Sequence, residues 1–293
     1  MRLPSETRAF LQATDGVELD EGDRLWTRRD GSCRRWPLHL QDPVLEETWR
    51  TLFRRGKHAI AWAVEEPRAD RPPTGCWYVC RDREFDLGKL SANTRSKVRR
   101  GRKRFRVEEV PAPSLLDQGW KAKVDTWGRF GFVPDRKAFE RMCRHACESN
   151  AIRVLAALGV DHFSAWVAVL STGDGHDIYD LASTNASLRD YPNNALFYVL
   201  LRRLLADEGS TRVDFGVSSL QPRSHVDTLH QFKLSMGFEA VPIHRAIRFH
   251  PLLAPLTTGP ARMLVRAVAN AFPSSISMQK LWGALECYGA VRK

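Results

Sequence analysis

The sequence predicts a mixed α/β chain of the α+β kind, a mixed sheet flanked by helices. Three observations predict it. Residues 151–184 hold three strand-like runs in succession. Helical and strand-like patterns then alternate to residue 250, giving the order β-β-β-α-β-α-β, antiparallel first and crossover-connected later. Of the 293 residues 43% are hydrophobic and 10% aromatic, nine of them Trp, which is enough to bury a full core. That length suits one large domain or two unequal ones.

The elements follow in order. Trp49–Arg55 reads as helical, "HAIAWAV" (His58–Val64) as a strand and "EEPRADRPPTG" (Glu65–Gly75) as a polar loop. "GCWYVC" is a second strand and a candidate hairpin partner for the first. After the breaker "PAPS" come helical patterns at Leu115–Phe130 and Lys137–Glu148, the latter begun by Asp135 as N-cap. "AIRVLAALGV", "HFSAWVAVLS" and "HDIYDLAST" are the three strands, and "TGDG" between the last two is a hairpin signal. "NNALFYVLLRRLLADEG" has helical spacing and ends at Gly209; "TRVDFGV" is a short strand; "VDTLHQFKLSMG" is a helix closed by Gly237; "FEAVPIHRAIRFH" is a strand. From Pro260 the tail reads as one or two short amphipathic helices.

The charge is concentrated. The chain carries +11, and "KLSANTRSKVRRGRKRFR" (Lys89–Arg106) holds nine Lys or Arg and no acid, leaving the remainder nearly neutral. Leu90, Thr94, Val98, Gly101 and Phe105 share one helical face, with Ser91 or Asn93 as cap. The other faces carry Arg95, Lys97, Arg99, Arg100, Arg102, Lys103 and Arg104. Such a rod repels itself, and phosphate is its natural partner. A solvated helix, self-pairing with distant acids and a membrane-surface role are the alternatives.

No apolar run is long enough for a bilayer and the N-terminus does not read as a signal peptide, so a cytoplasmic location is expected. Six Cys in a chain this long do not suggest a disulfide scaffold. Cys76/Cys80 and Cys143/Cys147 have three residues between them, where zinc knuckles have two, so core packing is expected and no metal site.

The order of pieces in the second half resembles the Fem-type branch of the GNAT (acetyltransferase-like) superfamily, the aminoacyl-tRNA-dependent transferases. The pieces are Pro192-Asn193-Asn194, the Ala195–Glu208 helix, Gly209, Asp214-Phe215-Gly216, Phe232-Lys233 and Gly237-Phe238. "LSANTRSKVRRGRK" is similar to the basic helix that precedes the transferase domain in that branch, and the resemblance spans roughly Lys89–Pro251. It implies a GNAT-like fold with a reduced N-terminal GNAT-like part: residues 1–88 as that subdomain, 89–251 as the transferase domain and 252–293 as a helical tail. Ordinary acetyltransferases place glycines where Arg189-Asp190-Tyr191-Pro192-Asn193-Asn194 stands here. Pro192 has no N–H to offer a pyrophosphate, which weakens the usual acyl-CoA grip; Asn193 or Asn194 can instead cap the helix.

An amine attacking an ester or thioester passes through an oxyanion that must be stabilised, and it must lose a proton. The resemblance implies donor handling by Lys233. Phe232 packs or stacks on the terminal adenine, and helical spacing lets only one of the two face the core. Asp214 is the candidate to hold the acceptor ammonium or take its proton, unless it ties the sheet to Arg212 or Arg245. Arg189, Asn193, Asn194 and Arg223 are donor-binding candidates. His225 and His230 are possible bases, and the sugar hydroxyl beside the ester is another proton relay. No Ser-His-Asp or Cys-His set stands out. The expected activity is aminoacyl transfer from aminoacyl-tRNA, a co-substrate rather than a cofactor, to an amine of a small molecule or peptide. An acyl-CoA-dependent N-acyltransferase and a non-catalytic nucleic-acid-binding module are the alternatives. No heptad arm is visible, so a soluble acceptor is at least as plausible as a cell-wall lipid.

Overall fold

The structure is a computed structural model. It describes residues 3–29, 32–55, 58–67, 73–218, 220, 225–272 and 275–291, leaving aside the side chains of 225–227, 276–277 and 289–291. The first segment holds α1 (Ser5–Thr14), β1 (Val17–Asp20), β2 (Leu25–Arg29), β3 (Ser32–Trp36), α2 (Glu46–Arg55), β4 (Ile60–Glu65) and β5 (Gly75–Cys80). Then follow α3 (Ala92–Arg104), β6 (Arg106–Val110), α4 (Trp120–Gly128), α5 (Arg136–Cys147), β7 (Ile152–Leu158), β8 (Phe163–Ser171) and β9 (His176–Ser183). The chain closes with α6 (Pro192–Leu201), β10 (Val213–Val217), α7 (His225–Ser235), β11 (Glu239–Phe249), α8 (Gly259–Ala271) and α9 (Ile276–Val291). The expected β-β-β-α-β-α-β order is therefore β7 to β11 with α6 and α7, and Asp135 caps α5 by accepting from the N–H groups of Lys137 and Ala138.

Among the described residues the strands form one eleven-stranded sheet in the order β1-β2-β3-β4-β11-β5-β10-β9-β8-β7-β6. The expected hairpin between "HAIAWAV" and "GCWYVC" does not form, because β11 lies between β4 and β5. At 11 residues β11 is long enough to serve both: Glu239–Ile243 pair with β5 and His244–Phe249 with β4. β5 belongs by sequence to the first segment, yet by pairing it sits between β10 and β11.

Two cores cover the sheet's two faces in the second half. On one face Phe10 and Leu11 of α1, Ala122 of α4 and Phe139 and Met142 of α5 pack on Trp166 and Tyr179. On the other Val98 of α3, the apolar side chains of α6 and Met236 beyond α7 pack on Leu155, Val167 and Phe215. Cys143 is buried in the first core and Cys80 in the second, with Cys76 half-buried against it, as expected, whereas Cys147 is exposed.

The basic helix forms as its pattern requires. Ser91 caps α3 by accepting from the Thr94 N–H, and Leu90, Thr94, Val98, Gly101 and Phe105 are all buried. Gly101 has a specific reason: a Cβ there would lie 2.5 Å from the Tyr191 carbonyl oxygen and 3.0 Å from the Ala195 Cβ. The missing side chain lets α3 lie directly on the start of α6.

Candidate functional site

Parallel β9 and β10 pair only at Val213–His176 and Asp214–Asp177 among the described residues, so beyond that point the strands part. The sheet opens there into a V. Gly216, at φ +70°, sits in an irregularity between Asp214 and Val217 in the β10–β5 pairing, and only glycine takes that backbone easily. The V lies beside the N-terminus of α6, where Asn193 Nδ2 donates to Ser183 Oγ at the end of β9 (3.3 Å).

The start of α6 is unusual. Its N-cap is Tyr191, left-handed at φ 62°, with no side-chain cap. Neither Asn caps the helix as the sequence suggested. Asn194 is buried and donates to Met236 Sδ at 3.4 Å, and the buried Asn193 Oδ1 has no partner among the described residues. Arg189 is exposed in the single 3-10 turn before α6.

Lys233 departs furthest from expectation. Helical spacing predicts that one of Phe232 and Lys233 faces outward, yet Lys233 is only 4% exposed and Phe232 packs edge-on against Phe197 (5.5 Å between centroids). Both are accommodated because α7 has two packed sides. Phe232 faces α6, while Lys233 faces β5 and β10, its Nζ 4.0 Å from the Tyr78 ring centroid and 4.3 Å from that of Phe215. It donates to the Phe215 carbonyl at 3.2 Å. Burial, and then the charge of Arg245, lower its pKa from 10.5 to about 7. Tyr78 also hydrogen-bonds His230 Nδ1 at 2.8 Å, so His230 stands over this cage rather than on open surface.

Arg245, on β11, is buried too and donates to the carbonyl and hydroxyl of Ser218. Neither it nor Lys233 forms an ion pair with a carboxylate among the described residues. Two buried cations without a counter-ion are costly unless an anion joins them. Sequence reasoning named Arg245 only as a partner for Asp214. The missed signal was its place in β11, an arginine in step with the core residues Ile243 and Ile247.

Asp214 lies at the apex of the V and is fully buried. Of the two arginines considered for it, Arg212 is the partner, its Nε donating to Asp214 Oδ2 at 3.1 Å; Arg212 also holds Asp174 at 2.6 Å. Burial, then the adjacent Asp177 carboxyl, push Asp214 above the usual range, and burial raises Asp177 as well. The two are register partners where β9 and β10 separate.

The seven cations of α3 lie on the same face of the sheet as Lys233. Among the described residues one of them, Arg104, reaches a carboxylate, Asp190 at 3.7 Å. Arg100 lies over the Tyr191 ring at 4.8 Å and Arg102 over Tyr198 at 5.5 Å, while Arg95 donates to the Leu90 carbonyl. Arg99 and Lys103 are exposed. Among the described residues, then, six of the seven cations of α3 form no ion pair with an acid of this chain. Arg223 and the side chain of His225 lie outside the described residues.

Across the sheet, on the opposite face of β9, a cavity of about 570 Å³ opens between α1, β2, α4 and α5. Arg28, Arg29, Trp127 and Tyr179 line it, with Lys123 and Asp180 paired at 2.6 Å. It was not read from the sequence, because its walls come from segments far apart in the chain.

The family model for the acetyltransferase (GNAT) domain matches residues 88–222. FemX superposes with a TM-score of 0.55 at 13% identity, over 80% of this chain and 86% of that one. The C-terminal domain of a protein from Agrobacterium fabrum, described as a putative lysylphosphatidylglycerol synthetase, gives 0.53 at 16% identity, over 87% and 93%. A conserved protein of unknown function from Bacteroides thetaiotaomicron gives 0.52 at 12% identity, over 83% and 89%. No curated protein matches the sequence.

Proposed function

We propose that this chain, whose fold is that of the GNAT acyltransferases in the arrangement also seen in FemX, moves an aminoacyl group from aminoacyl-tRNA to an amine, forming an amide. One observation carries the reading: among the described residues the buried Lys233 and Arg245 have no carboxylate partner, and six of the seven cations of α3, on the same face as Lys233, form no ion pair. A polyanionic donor satisfies both. Phosphates of the acceptor stem lie along Arg95, Lys97, Arg99, Arg100, Arg102, Lys103 and Arg104. The 3′ end passes the start of α6, near Arg189, Asn193 and Asn194, and brings its ester to Lys233.

Acceptor nitrogen attacks the ester carbonyl. The oxyanion is met by the Lys233 ammonium, with Arg245 adding positive potential, and collapse of the intermediate expels the ribose oxygen. The proton lost by nitrogen passes to that oxygen, directly or through the neighbouring sugar hydroxyl, so no dedicated protein base is needed. Phe232 holds α7 on α6, which fixes Lys233. Asp214, closed in with Arg212 and Asp177, braces the apex of the V and does not meet the acceptor. The cavity across β9 is the acceptor's approach.

A panel of charged tRNAs and acyl-CoAs, assayed for mass transfer onto generic amines with and without ribonuclease, tests this. The expected result is ribonuclease-sensitive transfer from a charged tRNA. Transfer from acyl-CoA that ribonuclease leaves untouched sinks the proposal, as does tRNA binding without turnover under any donor.

A further inference from the structure

The C-terminal helices have an outward face that nothing in the fold explains. α8 packs through Val265 and Ala269, both buried. A surface helix fixed by such a seam normally turns charged residues to the other side. Here successive residues turn by about 100°, which puts Pro260, Met263, Leu264, Ala267 and Ala271 together opposite the seam. Leu252 is 82% exposed, Met263 74%, Leu264 66% and Phe272 60%, so four of the most exposed large apolar side chains among the described residues fall on this short stretch.

The charge pattern says what covers them. From Ala240 to Leu285 the sequence has no Asp or Glu; of the Lys and Arg there, Arg245 is buried, Arg248 pairs with Glu46 and Arg262 with Glu286, which leaves Arg266 and Lys280 for the surface. Arg266 borders the apolar face, with its guanidinium 5.8 Å from the Trp282 ring centroid. Lys280, on α9, lies 5.1 Å from the ring of Phe132 in the turn between α4 and α5, where Val133 is also exposed. A second exposed apolar turn thus lies beside α9, with Lys280 against it. An apolar protein partner needs no such exclusion of acids, whereas an anionic lipid surface favours cations at its headgroups and apolar side chains just beneath them.

We propose that α8, with the adjoining α4–α5 turn, docks this protein on anionic phospholipid, lying in the interface without crossing it. Among the described residues no helix is long and apolar enough to cross a membrane. α9 packs closely on the chain after β10: a Cβ at Gly283 would collide with the Leu220 carbonyl.

Flotation of the full chain with vesicles of phosphatidylcholine, and of phosphatidylcholine with phosphatidylglycerol, tests the proposal. The full chain is expected to float with the anionic vesicles and to keep part of that binding at about 0.5 M salt, where attraction between exposed charges is screened. M263E/L264E is expected to lower the partition by roughly tenfold or more. The milder M263S/L264S should follow it in direction, with an unchanged thermal midpoint showing that both fold. R99E/R102E, which alters α3 alone, should retain the salt-resistant fraction. The proposal falls if the full chain ignores both vesicle types, or if M263E/L264E floats as well as the parent. It falls equally if the parent sediments as a dimer that M263E/L264E dissociates, because a second copy then covers the face.

Discussion

Lys233 shows what a single residue gains from its surroundings. An ammonium enclosed by two aromatic faces and one carbonyl is held by cation–π attraction but stripped of water. The balance leaves its pKa at about 7, so charging it on donor arrival takes up a proton near neutrality. Two consequences follow. K233M should cut kcat/KM for the charged donor by about 10²–10³, the range seen when one oxyanion donor is removed, while tRNA binding persists in a filter assay. Stability should move the other way. Because the folded pKa lies below the ordinary 10.5, burial of the charge burdens the folded state fully below about 7, and the burden fades as pH rises through that window. K233M should therefore melt higher than the parent at about pH 6, the gap closing towards pH 10. A gap that widens with pH contradicts the burial. The sequence marked Lys233 through its place after Phe232. It could not show the cage, since Tyr78 comes from a strand far away in the chain and Phe215 from a separate strand, nor give Arg245 its meaning, since that depends on Ser218 accepting where a carboxylate is expected.

At the scale of elements, α3 was the most legible part of the chain. Five weakly apolar positions among nine cations fixed its buried face, and every one of them is buried. Gly101 is the sharpest case, because its reason is the close approach of α6 rather than helix chemistry. G101L should destabilise the fold by about 1–3 kcal/mol, the usual cost of forcing bulk into a well-packed seam. Its tRNA affinity should drop although every cation remains, readable by denaturant titration beside a binding isotherm. Charge reversal at Arg99, Arg102 and Lys103 should act differently: unchanged stability, weaker binding, and a log K against log salt slope shallower by roughly 0.7–0.9 for each phosphate no longer neutralised. An unchanged slope would mean that the rod is merely solvated. The start of α6 was less legible. Asn193 and Asn194 are good capping residues, but left-handed Tyr191 takes the cap position and turns their side chains to Ser183 and Met236.

For the whole molecule, local pattern gave each strand from β7 to β11 and missed how the halves join. Strand pairing is non-local, and "GCWYVC" carries nothing that says it inserts between β10 and β11 rather than beside the strand before it. The consequence is testable. A chain lacking residues 1–88 loses β5, leaving β10 and β11 with unpaired edges, and should fail to give a cooperative melt by circular dichroism; a cooperative melt would support a division at 88. The arrangement as a whole brings α3, the start of α6 and Lys233 to one face, and the most direct measurement addresses that juxtaposition. tRNA whose 3′-terminal ribose has been opened with periodate carries a dialdehyde that a nearby neutral lysine captures, and borohydride then fixes the bond. Peptide mapping of the adduct should find it at Lys233, and the adduct should vanish when Arg99, Arg102 and Lys103 are reversed. An adduct scattered over the surface lysines, or one at Lys233 that is indifferent to those reversals, would contradict a donor site shared between the rod and Lys233.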